Sequence, residues 1–212
     1  MKGRTFPGPL WVVTNRHLAG EASFLQVLES ALQGKPDVLV LREKDLSPRH
    51  LFELASQVKA LTAKTGTAFF VNGSVEVALA VEADGVHLGM GALAPSVARR
   101  LLRPQQWLGL SVHSWNEVAA LSKQDQAALD YLMLGNLFET DCKAGKKGLG
   151  LELLRDFTTL SPWPVVAIGG ISAENGTMAL RQGAASVAVM SAVMASPEPA
   201  RTVQQLRKAF SS

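Results

Sequence analysis

Eight short apolar segments recur along the chain, and longer segments with helical character separate them. The apolar segments are residues 10–14, 38–41, 68–71, 86–88, 107–112, 131–134, 165–168 and 186–190. Most of them are continuous runs of residues typical of buried positions, which is the pattern of parallel strands whose outer faces are covered by helices. The sequence therefore predicts eight β-strands with helical segments between them.

Capping residues mark where several of the intervening helices begin. Ser47 followed by Pro48 supplies an N-cap and a proline at the first helical position. Ser114 followed by Glu117 has the spacing of a capping box. Apolar residues at helical spacing over 197–210 predict a final amphipathic helix.

Eight strand-then-helix units in a chain of 212 residues predict an α/β fold, a closed (β/α)8 TIM barrel that forms a single domain over residues 1–212. An open, doubly wound sheet produces the same alternation and is the alternative. The distinction matters because barrel enzymes carry their active sites at the carboxyl ends of the strands. Residues directly after each apolar segment are therefore candidates for function.

The composition favours a cytoplasmic protein that handles small anions. The one cysteine, Cys142, excludes an intramolecular disulfide and suits a reducing compartment. No apolar run reaches the roughly 18 residues that a membrane span needs, and the N-terminal segment is too short and too rich in Pro and Gly for a signal peptide. The net charge of +3 comes from dispersed Lys and Arg residues, which favours small phosphates over nucleic acid.

Small residues follow the last two predicted strands. Gly169 and Gly170 follow the seventh apolar segment, and Ser191 and Ala192 follow the eighth. Barrels often bind phosphate at these two strand ends, on backbone N–H groups and the start of a short extra helix. We therefore predict a phosphate-binding site there, although the two glycines could serve only to make a tight turn.

Two cations follow the second predicted strand. Arg42 and Lys44 are two residues apart, so both point to the same side of the extended chain. If Val40 faces the barrel interior, both cations reach the barrel mouth and Glu43 points away. Asn72, at the end of the third strand, adds a donor and an acceptor to the same cleft.

Carboxylates are scarce at the predicted strand ends. A magnesium site that acts on phosphates usually needs one or two of them. Asp45, Glu139 and Asp141 lie in loops and remain open candidates. We nevertheless predict an anion site with no metal and no cofactor.

His113 is the candidate for proton transfer. It shares one side of the fifth strand with Gly109 and Ser111 and stands where that strand ends. An unperturbed imidazole pKa near 6.5 suits it to carry a proton at neutral pH. His87 is a weaker candidate because the direction of its side chain is unresolved, and Cys142 has no neighbouring histidine in sequence to activate it.

Several segments together resemble the thiamin phosphate synthase/TenI superfamily over nearly the whole chain. Four segments are similar to the superfamily's barrel-strand signatures: VLVLREKD, FFVNGSVEVALAVEADGVHLG, VAIGGIS and ASVAVMSAV. Two further segments resemble the TenI branch of the superfamily, the thiazole tautomerases. They are SVHSWNEVAALS and YLMLGNLFETDCKAGKKGLGLELL, and FETDCK in the second is the most specific match. The resemblance implies a barrel enzyme of thiamin biosynthesis.

The chain departs from the synthase branch at four places. Synthases typically carry Asn-Asp-Asp after strand three and Gly-Gln-x-Asp after strand four, and those aspartates hold magnesium and the pyrophosphate of one substrate. Gly73 and Ala92 stand at the corresponding positions here. Val40 replaces a glutamine, and ETDCK at residues 139–143 replaces PTxTK. These departures favour the tautomerase branch.

The resemblance to that branch implies an isomerase that works by a metal-free proton shift. Its substrate would be the non-aromatic tautomer of carboxythiazole phosphate, and its product the aromatic 2-(2-carboxy-4-methylthiazol-5-yl)ethyl phosphate. His113, in SVHS, matches the catalytic histidine, with Lys44 and Arg42 beside it as groups that bind the carboxylate or donate a proton. The implied substrate site consists of Asn72, Thr140, Lys143, Gly169, Gly170, Ser191 and Ala192.

Three other functions remain alternatives. The first is thiamin phosphate synthase, which joins a thiazole phosphate to a pyrimidine pyrophosphate. The second is a TenI-like regulatory protein that binds a phosphate ligand without catalysis, and the third is a phosphate-sugar isomerase on the same scaffold. The relatives are commonly dimers, so the resemblance also implies a homodimer. The dispersed charge and the short apolar runs predict no nucleic-acid or membrane partner.

Overall fold

A closed barrel of eight parallel strands forms the centre of the molecule. The computed structural model describes residues 5–20, 23–139 and 148–211. The strands are β1 Leu10–Val13, β2 Val38–Leu41, β3 Ala68–Asn72, β4 Gly85–Leu88, β5 Trp107–Val112, β6 Tyr131–Gly135, β7 Val165–Ile168 and β8 Ser186–Val189. The helices are α1 Phe24–Gln33, α2 Pro48–Thr65, α3 Val75–Ala80, α4 Pro95–Leu101, α5 Trp115–Ala119, α6 Lys123–Ala128, α7 Gly150–Leu160, α8 Ala173–Arg181, α9 Ser191–Met194 and α10 Pro199–Phe210, and a short 3₁₀ helix covers Arg16–Leu18.

Pairing between the first and last strands closes the sheet. Trp11 of β1 lies opposite Val38 of β2 on one side and Ala188 of β8 on the other. Such closure confirms the predicted (β/α)8 barrel and excludes the open sheet. Every predicted strand is present, and each end lies within one residue of its predicted position. Among the described helices, none combines the length and the apolar character that a bilayer span requires.

The helix starts show how well local signals predicted the structure. Ser47 caps α2 by accepting a hydrogen bond from the His50 N–H, with Pro48 at the first helical position, as predicted. Ser114 caps α5, but the expected capping box is incomplete. The Glu117 carboxylate accepts from the His113 N–H, at 2.6 Å, instead of from the N–H of Ser114.

Aromatic side chains fill the inside of the barrel. The Trp11 ring centroid lies 5.0 Å from that of Tyr131 and 5.3 Å from that of Phe70, both in edge-to-face geometry. Val40 belongs to the same interior cluster, which confirms the condition on which the direction of Arg42 and Lys44 was predicted. This packed layer closes the barrel below its mouth.

Gly109 of β5 makes room for the Tyr131 ring. A Cβ atom at this position would lie 2.0 Å from the nearest ring carbon of Tyr131. The ring cannot move away without disturbing Trp11 and Phe70, which pack against it.

We therefore expect Gly109→Ala to destabilise the fold by about 1–3 kcal/mol through overpacking. Gly91→Ala is the matched control, because a Cβ there would meet no atom within 4 Å. Chemical denaturation of both variants provides the measurement. Equal midpoints for Gly109→Ala and the unmodified chain would contradict this account of the interior.

Candidate functional site

A pocket opens at the carboxyl ends of the strands, with a volume of about 270 Å³. Arg42 and Lys44 after β2, Asn72 at the end of β3, His113 after β5 and Gly169 after β7 all line it. The structure thus brings together the predicted cations, the predicted histidine and one of the predicted phosphate-binding glycines.

A smaller cavity of about 70 Å³ adjoins this pocket. Gly169, Gly170, Ser191 and Ala192 line it, so the structure also brings together the four residues predicted to bind phosphate. The two cavities share part of their walls, which are formed by Asn136, Ile168, Gly169 and Met190. Of the predicted substrate-site residues, Thr140 and Lys143 lie outside the described residues, as does Cys142.

The wall between the cavities depends on glycine at position 169. Its φ of +105° lies in the region that residues with a Cβ rarely adopt, and a Cβ there would be 2.3 Å from Asn136 Oδ1. Asn136 itself is buried, and in the described part of the chain its Nδ2 has no hydrogen-bond partner. The sequence carried a signal for Asn136, a polar residue directly after a strand, but gave no sign of its burial.

The nearby acidic side chains are engaged away from the pocket. The Thr14 hydroxyl donates to Glu43 at 2.6 Å, and the Arg16 guanidinium donates to Glu43 at 3.2 Å and to Asp45 at 2.6 Å. The hydrogen bond from Arg16 is the main reason that the pKa of Asp45 is held well below its usual range. Glu43 thus points away from the pocket as predicted, but it is buried.

A magnesium ion is implied by the resemblance to synthases, and the described residues do not fit one. Neither cavity at the barrel mouth has an Asp or Glu in its described lining. Across the described ranges there is also no group of three His, Cys, Asp or Glu residues that could hold a metal ion. Asp141 lies outside the described residues. Arg42 and Lys44 both line the larger cavity, and their positive charge suits an anionic ligand.

His113 stands at the rim of the pocket, where solvent reaches it. Its side chain is 49% exposed, and Nδ1 lies 3.5 Å from Glu117 Oε2. Because the His113 N–H also donates to that carboxylate, Glu117 holds the residue through both its backbone and its ring.

His87 of β4 lies at the floor of the pocket and is buried. Its Nε2 is 2.7 Å from Ser111 Oγ, and its Nδ1 is 3.0 Å from the Tyr131 hydroxyl. Burial, with a smaller contribution from the positive charge of Arg42, lowers the pKa of His87 to about 3. The ring is therefore a neutral imidazole at physiological pH. The sequence left its direction unresolved, and the structure resolves it towards the pocket.

A larger cavity of about 670 Å³ lies at the opposite end of the barrel. Residues that precede the strands line it together with residues of α2 and α10, and four of its charged groups form two ion pairs, Arg207 with Asp37 at 3.3 Å and Lys59 with Asp84 at 3.4 Å. Barrel enzymes carry their chemistry at the carboxyl ends of the strands. We therefore assign the candidate site to the smaller pocket at the mouth.

Comparison with known proteins decides the family. The family TMP-TENI, described as thiamine monophosphate synthase, matches residues 10–193. The chain belongs to this family. It is similar to the thiamine-phosphate synthase of Moorella thermoacetica, with 39% identity over 201 residues that cover 94% of each chain. It is also similar to the thiamine-phosphate synthase of Roseiflexus sp., with 36% identity over 211 residues that cover 97% of this chain and 86% of the relative.

A solved structure supports the same assignment. The thiamine phosphate pyrophosphorylase from Pyrococcus furiosus superposes with a TM-score of 0.83 and 34% identity, covering 96% of this chain and 95% of the other. These findings confirm the predicted superfamily. The narrower prediction of a thiazole tautomerase, an isomerase, is wrong, because relatives at 36–39% identity are named thiamine-phosphate synthase. That prediction rested on a few strand-end residues that differ from the synthase pattern. Similarity to synthases over the whole chain outweighs those differences.

The depressed pKa of His87 makes stability depend on pH. In the unfolded chain this imidazole takes up a proton near pH 6.5, whereas the folded chain resists doing so until about pH 3. Folding stability is therefore lost as the pH falls from 6.5 towards 3. Between pH 7.5 and pH 5 we expect the unmodified chain to lose about 2 kcal/mol more than His87→Gln does.

Denaturant unfolding of both proteins at the two pH values measures this difference. Comparison with the variant removes the contribution of carboxylates, which titrate in both proteins. If the free energy of unfolding changed with pH by the same amount in both proteins, His87 would not be held neutral by the fold.

Proposed function

We propose that this protein is a thiamine-phosphate synthase, a transferase that joins a thiazole phosphate to a pyrimidine bearing a pyrophosphate. The observation that carries the proposal is the 39% identity to a thiamine-phosphate synthase over 94% of both chains. The two adjoining anion-adapted cavities at the barrel mouth support it, because the reaction brings together two phosphate-bearing substrates.

The reaction makes one bond and breaks another without oxidation or reduction. The lone pair of the thiazole nitrogen forms a bond to the methylene carbon of the pyrimidine. The bond from that carbon to the pyrophosphate oxygen breaks, and its electron pair leaves with the pyrophosphate. Negative charge therefore develops on the leaving group, and positive groups placed beside it would lower the barrier.

Arg42 and Lys44 are suited to hold the pyrophosphate. Both line the larger cavity, and the Arg42 backbone is fixed because its N–H donates to the Thr14 hydroxyl at 2.9 Å. Asn72, on the neighbouring strand β3, can donate to the same anion. In this proposal these side chains neutralise the negative charge that develops on the leaving group.

The smaller cavity is suited to the phosphate of the thiazole. Gly169 and Gly170 both have positive φ, and Ser191 begins the short helix α9. Backbone N–H groups at such a place are ready donors for a phosphate. The wall shared by Asn136 and Gly169 would then lie close to where the two substrates meet.

The test is an assay of the purified full chain with both substrates, run with and without added magnesium. We expect thiamine phosphate and pyrophosphate to appear in equal amounts. Arg42→Ala and Lys44→Ala should each lower the turnover number by about 100-fold, since each removes a charge from the leaving group. Arg49→Ala is the matched control, because Arg49 is exposed on α2 and pairs with Glu53 at 3.1 Å.

Absence of thiamine phosphate from a folded protein that still binds inorganic pyrophosphate would contradict the proposal. That outcome would favour the second candidate, a phosphate-binding protein without catalysis. The homodimer implied by the family resemblance remains a prediction, and sedimentation of the same preparation would test it.

A further inference from the structure

Three side chains on three adjacent strands form a hydrogen-bonded chain beneath the pocket. Tyr131 of β6 is bonded to His87 of β4, and His87 is bonded to Ser111 of β5. We infer that Tyr131 and His87 are positioning residues that fix the Ser111 hydroxyl as a hydrogen-bond donor to the bound substrate. The inference rests on the proposed function, because it assigns Ser111 an anionic oxygen of a phosphate-bearing substrate as its acceptor.

The strand register explains why these three groups meet. His87 lies opposite Gly109 on β5, and Gly109 lies opposite Tyr131 on β6. Since Gly109 has no side chain, the tyrosine ring can cross towards β4, where it stacks with His87 at a centroid distance of 5.7 Å. Ser111 is two residues further along β5, so it faces the same interior and lines the pocket above His87.

The direction of the hydrogen bonds follows from the tyrosine. Tyr131 is fully buried, and burial raises the pKa of its hydroxyl well above the usual value, so it remains a neutral phenol with one proton to donate. In the described part of the chain the acceptor within reach is His87 Nδ1, at 3.0 Å. Because a buried donor left without an acceptor is costly, the phenol donates to Nδ1.

This first bond determines the second. A neutral imidazole has one ring N–H. If Nδ1 accepts the hydrogen bond from Tyr131, the ring proton must therefore be on Nε2. The low pKa of His87 agrees with a neutral ring. Nε2–H then donates to Ser111 Oγ, at 2.7 Å.

Ser111 is left with its own proton available to the pocket. If the tautomer were reversed, Nε2 would accept that proton, and Ser111 would present lone pairs that repel an anion. With the tautomer set by Tyr131, the hydroxyl instead joins Arg42 and Lys44 as a donor. His87 does not act as a base in this arrangement, because its one accepting nitrogen faces the phenol.

The tautomer can be measured in the unmodified protein. Nitrogen-15 NMR of the full chain with labelled histidine distinguishes a protonated ring nitrogen from an unprotonated one. We expect His87 to show a protonated Nε2 and an unprotonated Nδ1, and Tyr131→Phe to yield a mixture of the two tautomers. A protonated Nδ1 in the unmodified chain would overturn the inference, and this readout does not require activity.

A double-mutant cycle tests whether Tyr131 acts through Ser111. Calorimetric titration with inorganic pyrophosphate should show about 10-fold weaker binding for Ser111→Ala, as expected for a lost hydrogen bond to a charged group. Tyr131→Phe, which keeps the ring, should weaken binding about 3-fold. In the Ser111→Ala background, Tyr131→Phe should have no further effect.

The outcomes separate the inference from the proposed function. If Tyr131→Phe weakens binding equally in both backgrounds, its role is structural and the inference fails. If the unmodified chain binds no pyrophosphate, the proposed function and the Ser111 contact both fail, and the NMR result alone decides the direction of the hydrogen bonds. Synthase activity with a reversed tautomer would uphold the function and overturn the inference.

Discussion

Closure of the parallel sheet is the constraint on which the rest of the structure depends. Once β1 pairs with both β2 and β8, every strand has its carboxyl end at the same rim. Aromatic rings fill the space below that rim, with Trp11 and Tyr131 in contact at 5.0 Å. The pocket exists because this packed floor stops short of the strand ends, and polar side chains that follow the strands surround what remains.

The charge of the pocket follows from where the acidic groups are held. Glu43 lies between Arg42 and Lys44 in sequence, yet its side chain points to the opposite side and is bonded to Thr14 and Arg16. The same Arg16 also binds Asp45. Two cations therefore face the pocket without a carboxylate in its described lining, and this imbalance favours an anionic ligand.

The sequence predicted the fold, and it also predicted which residues line the candidate site, because both depend on periodic patterns. Continuous apolar runs predict buried parallel strands, and alternation along a strand predicted that Arg42 and Lys44 share a side. The prediction of a phosphate site at Gly169 and Gly170 came from a rule about barrel strand ends, and the structure has a cavity there. His87 could not be assigned in this way, because its contacts depend on how Tyr131 crosses Gly109 from another strand. The burial of Asn136 likewise depends on its packing against a glycine that follows the next strand.

The central claim is that the pocket at the carboxyl ends of the strands binds the phosphate-bearing substrates. A crystal structure of the protein with thiamine phosphate bound tests it most directly. We expect the phosphate to lie in the cavity lined by Gly169, Gly170 and Ser191, with the ring system extending towards Arg42 and Lys44. Ligand found instead in the larger cavity at the opposite end, beside Lys35 and Asp37, would contradict the account.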